Sequence, residues 1–325
     1  MKPETSNKEK YAAWAERQAF LPLTMQPWWM DAVCAGKQWD VLLVENEQGE
    51  ILGAMPYLIR KRLWMRYVIM PQQTQIGGIW ISGEYTDDQW VVAEVCRRMA
   101  EQLGQLHLAY YYQQYPSGSL CVEPMRALGF RTRERVTYRI EDLSDLDKVI
   151  SRFSKNKKRQ LQKALSLHAE RGCNPEDFYR FHANCMHEQR KRITYSREFF
   201  LVLERKLRRR NQCEILTIKD ADNHIHAAAF LVWDARRMYY LIPCYSLEYK
   251  STGAGALLVL ESIKLAREKQ VRFDFEGSMI RGVAAHYKQF GSEPCTYYSV
   301  EKYYKWYFRL ATILNTFRNL KYNNH

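Results

Sequence analysis

Two carboxylates, a small-residue turn and a tyrosine are the groups in this 325-residue chain best suited to chemistry. Phe273-Asp-Phe-Glu-Gly-Ser278 alternates aromatic and acidic side chains. On an extended strand, that alternation puts Asp274 and Glu276 on one face, with Ser278 following at the strand end. A carboxylate in a partly apolar cleft has its pKa raised and accepts a proton from an attacking amine. The structural alternative is a cap or an ion pair with a neighbour such as Arg272 or Arg281.

Tyr249-Lys-Ser-Thr-Gly-Ala-Gly-Ala-Leu-Leu258 follows a strand-like run, Arg237 to Pro243, and precedes an amphipathic helix pattern, Leu257 to Lys269. A small-residue turn that opens a helix presents bare N–H groups and the positive end of the dipole, which suits an anion. Gly253 and Gly255 allow close approach to the backbone. The pattern is neither G-x-x-x-x-G-K-[ST] nor G-x-G-x-x-G, and a tight turn without a ligand fits it equally well.

Ser154-Lys-Asn-Lys-Lys-Arg-Gln-Leu-Gln-Lys-Ala164 is a basic helix pattern. Lys155, Lys158 and Gln162 fall on one stripe, with Arg159 and Lys163 beside it. Such a face either is solvated or contacts phosphate. Arg190-Lys-Arg192 could border the same groove, and Trp28-Trp29 reads as an aromatic wall or a core anchor. His224-Ile-His226 and Cys185-Met-His187 lack completing ligands, so no structural metal is expected.

The elements that must position these groups occur twice. Val41 to Val44, a polar turn and Ile51 to Ile59 match Ile215 to Ile218, a polar turn and Ile225 to Val232. Each reads as a β-hairpin. Downstream, Met125-Arg-Ala-Leu-Gly-Phe130 and the strand-like Arg135 to Ile140 match Tyr287-Lys-Gln-Phe-Gly-Ser292 and Cys295 to Val300. The order hairpin, helix, strand, helix, glycine stop, strand recurs, which points to a duplicated domain. The boundary is placed near Glu141, giving lobes 1–141 and 142–325. A helix capped at Asp142 or Ser144 is expected to run to Arg171-Gly172. The C-terminal stretch, Tyr303 to Leu320, has helical spacing of Trp306, Leu310, Ile313, Leu314 and Phe317. It packs on its own lobe or touches a membrane surface.

Composition bounds the rest. Hydrophobic residues make up 46%, which excludes a disordered chain. The eight cysteines are scattered without C-x-x-C spacing, so free thiols are expected. The polar start, Met1 to Lys10, is unlike a signal peptide, and no apolar run approaches the roughly 18 residues of a membrane span, so a cytoplasmic location is expected. A formal charge of +13 calls for an anionic partner: nucleic acid, a phosphorylated substrate or a membrane surface.

Lys250-Ser-Thr-Gly253-Ala-Gly255 resembles the (Arg/Gln)-x-x-Gly-x-(Gly/Ala) pyrophosphate loop of the GNAT acyltransferases, with Lys in the first position. Ala285-His-Tyr-Lys-Gln-Phe-Gly291 resembles the helix end of that family, where a tyrosine often serves as general acid. The basic helix at 154–164, the Gly253–Leu258 helix start and the Phe273–Ser278 stretch are similar to the tandem-GNAT FemAB-like bacterial proteins, which include aminoacyl transferases acting on peptidoglycan precursors. The helical arm of some members has no counterpart here.

The resemblance implies an α/β chain of two GNAT-like lobes with mixed sheets, the first without a cofactor site. It implies an N-acyl or aminoacyl transferase with acyl-CoA or aminoacyl-tRNA as co-substrate and no permanently bound cofactor. The acceptor would be an amine of an anionic molecule such as a cell-wall precursor. In that reading Asp274 or Glu276 accepts a proton and Tyr287 donates one. Lys250 and the turn Gly253, Ala254, Gly255 and Ala256 hold the donor phosphates. Lys155, Lys158, Arg159, Tyr245, Ser278 and Lys288 face the substrate. The alternative is a non-catalytic module on the same scaffold, recognising a phosphorylated glycan or RNA.

Overall fold

The computed structural model describes residues 6–34, 39–277 and 279–309. By contact, the described residues up to Arg135 and from Tyr297 on make one compact unit, and Val136–Thr296 the other. The expected lobes, 1–141 and 142–325, differ from these units mainly in where the strands 131–140 and 293–303 are assigned.

The first unit begins with α1 (Asn7–Ala15) and α2 (Pro27–Val33). Trp29 on α2 is fully buried and its Nε1 donates to Thr74 Oγ1 at 3.0 Å, so it anchors the core. The hairpin follows as β1 (Trp39–Glu45) and β2 (Ile51–Arg62), then β3 (Met65–Ile69) and the short β4 (Trp80–Ile81) against β2. Next come α3 (Gln89–Gln105), β5 (Tyr110–Tyr115) and α4 (Val122–Ala127). On α3, Val92, Val95, Cys96, Met99 and Leu103 recur at helical spacing and are buried against the strands.

The second unit takes in the later part of β6 (Arg131–Ile140), α5 (Leu146–Ser151), α6 (Lys155–Lys163) and β7 (His168–Arg171). It continues with α7 (Pro175–Glu188), α8 (Arg197–Arg208), β8 (Cys213–Lys219), β9 (Ile225–Trp233) and β10 (Arg237–Tyr245). Then come α9 (Ala254–Glu268), β11 (Arg272–Asp274) and α10 (Arg281–Lys288), before β12 (Glu293–Tyr303). The single long helix expected from Asp142 to Gly172 is instead α5, α6 and an edge strand. The caps explain the breaks: Asp145 accepts from Lys148 N and Ser154 from Lys157 N, while Asp142 is spent on Ser144.

Pairing confirms the duplication. β1–β2–β3 is antiparallel and β3–β5 parallel; β8–β9–β10 is antiparallel and β10–β11 parallel. Both hairpins turn on a side-chain oxygen. Asn46 Oδ1 accepts from Gln48 and Glu50 N–H, and Asp220 Oδ1 from Asp222 and His224 N–H. Both have a register shift at the end of the first strand. Gly129 and Gly291 end the matching helices with φ of +81° and +70°.

The closing strands differ from the sequence expectation. Residues 298–303 of β12 pair antiparallel with β5 and close the first unit. Arg139 and Ile140 of β6 pair antiparallel with β11 and close the second. The first copy was expected to end on 135–140 and the second on 295–300, yet each strand serves the other unit. Buried polar groups fit this arrangement. Tyr110 donates to Glu301 at 2.7 Å, and Arg139 Nε to Asp274 at 2.6 Å. The expected C-terminal helix falls largely outside the described residues, from 310 on.

Candidate active site

All of the predicted chemistry lies in the second unit. β11 ends at Asp274, so the expected strand face carrying both acids is not formed. The backbone folds back instead, and Glu276 N donates to Asp274 Oδ1 at 2.8 Å. Glu276 thereby takes a φ of +59°, unusual for a residue with a side chain.

The turn gives the two acids different environments. Asp274 is 1% exposed and accepts from Arg139 Nε at 2.6 Å, Thr137 Oγ1 at 2.5 Å and Glu276 N. Its oxygens are therefore taken up by donors from β6 and the turn. The partner is Arg139, and Arg272 bonds Glu141 instead. Glu276 is pushed well above the usual carboxylate range, by burial first and then by the Asp274 charge.

Tyr287 on α10 stacks on Phe275, with ring centroids 4.5 Å apart. Burial, with Tyr245, Glu276 and Asp274 adding to it, pushes its pKa up to about 12. The structure thus brings Tyr245, Glu276 and Tyr287 into one electrostatic neighbourhood. Tyr245 is half exposed, and the next two residues are held by Glu188, which accepts from Ser246 Oγ and from Leu247 N at 2.8 Å.

The turn before α9 is shaped by Gly253, whose φ is +85°. A Cβ there would lie 2.0 Å from the Gln160 carbonyl of α6. Ala254 N donates to Thr252 Oγ1, while Ala256 N and Leu257 N both donate to the Gly253 carbonyl. Space around Gly255 is open: a Cβ there would meet nothing within 4 Å. His226 braces the turn from behind. It bridges Asp220 Oδ2 at 3.1 Å and Thr252 Oγ1 at 3.3 Å and stacks on Tyr249 at 3.9 Å. Although desolvation opposes it, the His224 N–H and both imidazoles hold the Asp220 carboxyl down at about 2.

The other predicted residues are dispersed. Lys250, Lys155, Lys158, Arg159 and Lys288 are exposed. Lys158 caps the Ser151 carbonyl at 2.8 Å and Lys288 lies 5.9 Å from the Tyr138 ring. Ser278 lies outside the described residues. Asp220, Asp222 and His224 bring ligand atoms within 4.8 Å of one another at the β8–β9 turn, a grouping hidden in sequence until the hairpin folds. Arg139, Lys157 and His226 were not singled out as site residues. Arg139 lies 135 residues from Asp274, and no local pattern marks such a pair.

The duplicated sheet with a glycine-opened helix is an acyltransferase-type fold, and the acid–tyrosine neighbourhood is its candidate site. Residues 129–289 match the family described as Acetyltransferase (GNAT) domain. Among solved structures the chain is similar to FemX, at 14% identity and a TM-score of 0.68, over 92% of this chain and 97% of that one. It is also similar to a tandem GNAT protein from the clavulanic acid biosynthesis pathway, at 11% identity and a TM-score of 0.52, over 91% and 94% of the two chains. A third is the C-terminal domain of a putative lysylphosphatidylglycerol synthetase from Agrobacterium fabrum, at 11% identity and a TM-score of 0.55, over 90% and 92%. No curated protein matches the sequence. At these identities the likeness is one of fold: two GNAT-like lobes in tandem. Among the described residues no helix is long and apolar enough to cross a membrane.

Proposed function

We propose that the protein transfers an acyl or aminoacyl group to an amine of an anionic acceptor. The amine nitrogen attacks the carbonyl carbon of a CoA thioester or an aminoacyl ester, and the C–S or C–O bond breaks. Glu276 takes the amine proton, and Tyr287 gives one to the departing sulfur or oxygen. The observation that carries this reading is the stacking of Tyr287 on Phe275, the residue next to Glu276, at 4.5 Å between ring centroids, in surroundings whose burial raises both groups. Asp274, saturated by Arg139, Thr137 and Glu276 N, holds the turn and is a positioning residue.

Donor phosphates would meet the start of α9 at Gly255, where space is open and the helix dipole is positive. Both donor classes stay in the proposal. One similar structure is the C-terminal domain of a putative lysylphosphatidylglycerol synthetase, and another is a tandem GNAT protein described without AcCoA. The exposed Lys155, Lys158 and Arg159 and the net charge of +13 favour an anionic acceptor.

Glu276→Gln is expected to lower turnover by roughly 10²- to 10⁴-fold, with donor binding by calorimetry unchanged. Full turnover in that variant would remove the base from this scheme. Binding of neither CoA nor aminoacyl-tRNA by the intact chain would end the transfer reading.

A further inference from the structure

Lys157 is a buried cation that the transfer chemistry does not use. It lies on α6 and is 3% exposed. Its Nζ donates to Gln160 Oε1 at 3.1 Å and to His286 Nδ1 at 3.2 Å, and it sits 4.7 Å from the Phe290 ring centroid. Among the described residues, no carboxylate pairs with it. An ammonium buried without a counter-charge is costly, and two neutral acceptors and a ring face compensate only in part.

The neighbours are donors as well. His286 accepts through Nδ1, so its own proton sits on Nε2. Burial, and then the Lys157 charge, lower the His286 pKa to about 4, which keeps the ring neutral. Burial lowers Lys157 to about 8, still cationic at neutral pH. Gln160 retains its amide N–H groups, and Lys157 has a third N–H. Gln160 and His286 are only half-buried, so solvent reaches the cluster at these two side chains while Lys157 itself is covered. A group with several anionic oxygens satisfies all three side chains at once.

We propose that Lys157, Gln160 and His286 form a seat for a phosphate group carried by a substrate. The seat adjoins the donor turn, because the Gln160 carbonyl is the atom against which Gly253 packs. The seat deepens the transfer reading, on which it rests for the identity of the substrate, and is tested apart from it.

The test is calorimetric titration of the full chain with inorganic phosphate. Wild type is expected to bind and Lys157→Met to lose at least about tenfold in affinity, while Lys163→Met, on the same helix, changes nothing. Replacing an unpaired buried charge by an apolar side chain is not expected to harm the fold. His286→Leu is the second variant, and it too is expected to weaken binding. No binding by wild type overturns the proposal, as does equal binding by Lys157→Met. Displacement of phosphate by CoA assigns the seat to the donor, and displacement by a nucleotide-diphosphate sugar assigns it to the acceptor. Displacement by neither overturns its assignment to a substrate. Glu276→Gln separates the two readings: it is expected to keep phosphate binding, and full turnover in it bears on the transfer reading alone.

Discussion

The matching helices α3 and α9 start in opposite ways. In the first unit, Asp88 caps α3, and its carboxylate accepts from Trp90 and Val91 N–H. In the second, Gly253 stands at that place in a left-handed conformation and offers no side chain to α9. A carboxylate at a helix start fills the anion position that a phosphate would need and repels one electrostatically. The difference teaches that a single residue type at the cap decides whether a helix start is filled by its own side chain or left without one.

The buried ion pairs give the strongest way to break the comparison. Arg139→Ala strands the Asp274 charge and is expected to cost about 3–5 kcal/mol in denaturant unfolding. The counterpart in the first unit, Glu301, is held by Tyr110 and by an Arg133 that is largely exposed. Glu301→Gln should therefore cost only about 1–2 kcal/mol. Equal costs would erase the distinction. At the helix starts, Gly253→Ala forces a side chain into the left-handed region and against the Gln160 carbonyl. A loss of about 2 kcal/mol is expected, together with weaker donor binding. Asp88→Ala should cost about 1 kcal/mol and leave donor binding untouched.

A further effect is on acid stability. Burial pushes the His182 pKa down to about 4, and burial with Lys157 does the same to His286. Both belong to the second unit, whereas His107, the histidine described in the first, is exposed. The unfolded chain takes up these protons near pH 6.5, before the folded one does. Stability from these groups is thus present above about 6.5 and lost as the pH falls toward about 4. The second unit should melt first in acid, and His182→Gln with His286→Gln should flatten the profile. Amide exchange followed by unit would show it.

Much of the fold was legible because it is encoded locally. Asn46 and Asp220 announce their turns, and Gly129 and Gly291 end their helices within a few residues of the strands that follow. The exchange of closing strands was not legible. Arg135 to Ile140 and Cys295 to Val300 are both extended stretches, and either could close either sheet; the choice rests on partners such as Asp274 and Tyr110, more than a hundred residues away. The site was legible to the segment rather than the atom. The run at 273–278 was found, but its acids were read as equivalent because the positive φ of Glu276 has no signature in a residue other than glycine or asparagine. Lys157 does not stand out in sequence from the four other basic residues at 154–164, since burial of one side chain on a short helix depends on what packs across it.

The strand exchange also orders events in time. A chain leaving the ribosome would have β1, β2, β3 and β5 in hand long before 298–303 exist to pair with β5. The first sheet to begin is therefore the last to be completed, and its β5 edge stays open until synthesis is nearly over. The second sheet receives its β6 strand ahead of everything else it contains. A break in the chain near residue 141 would yield two fragments, each carrying the strand the other lacks.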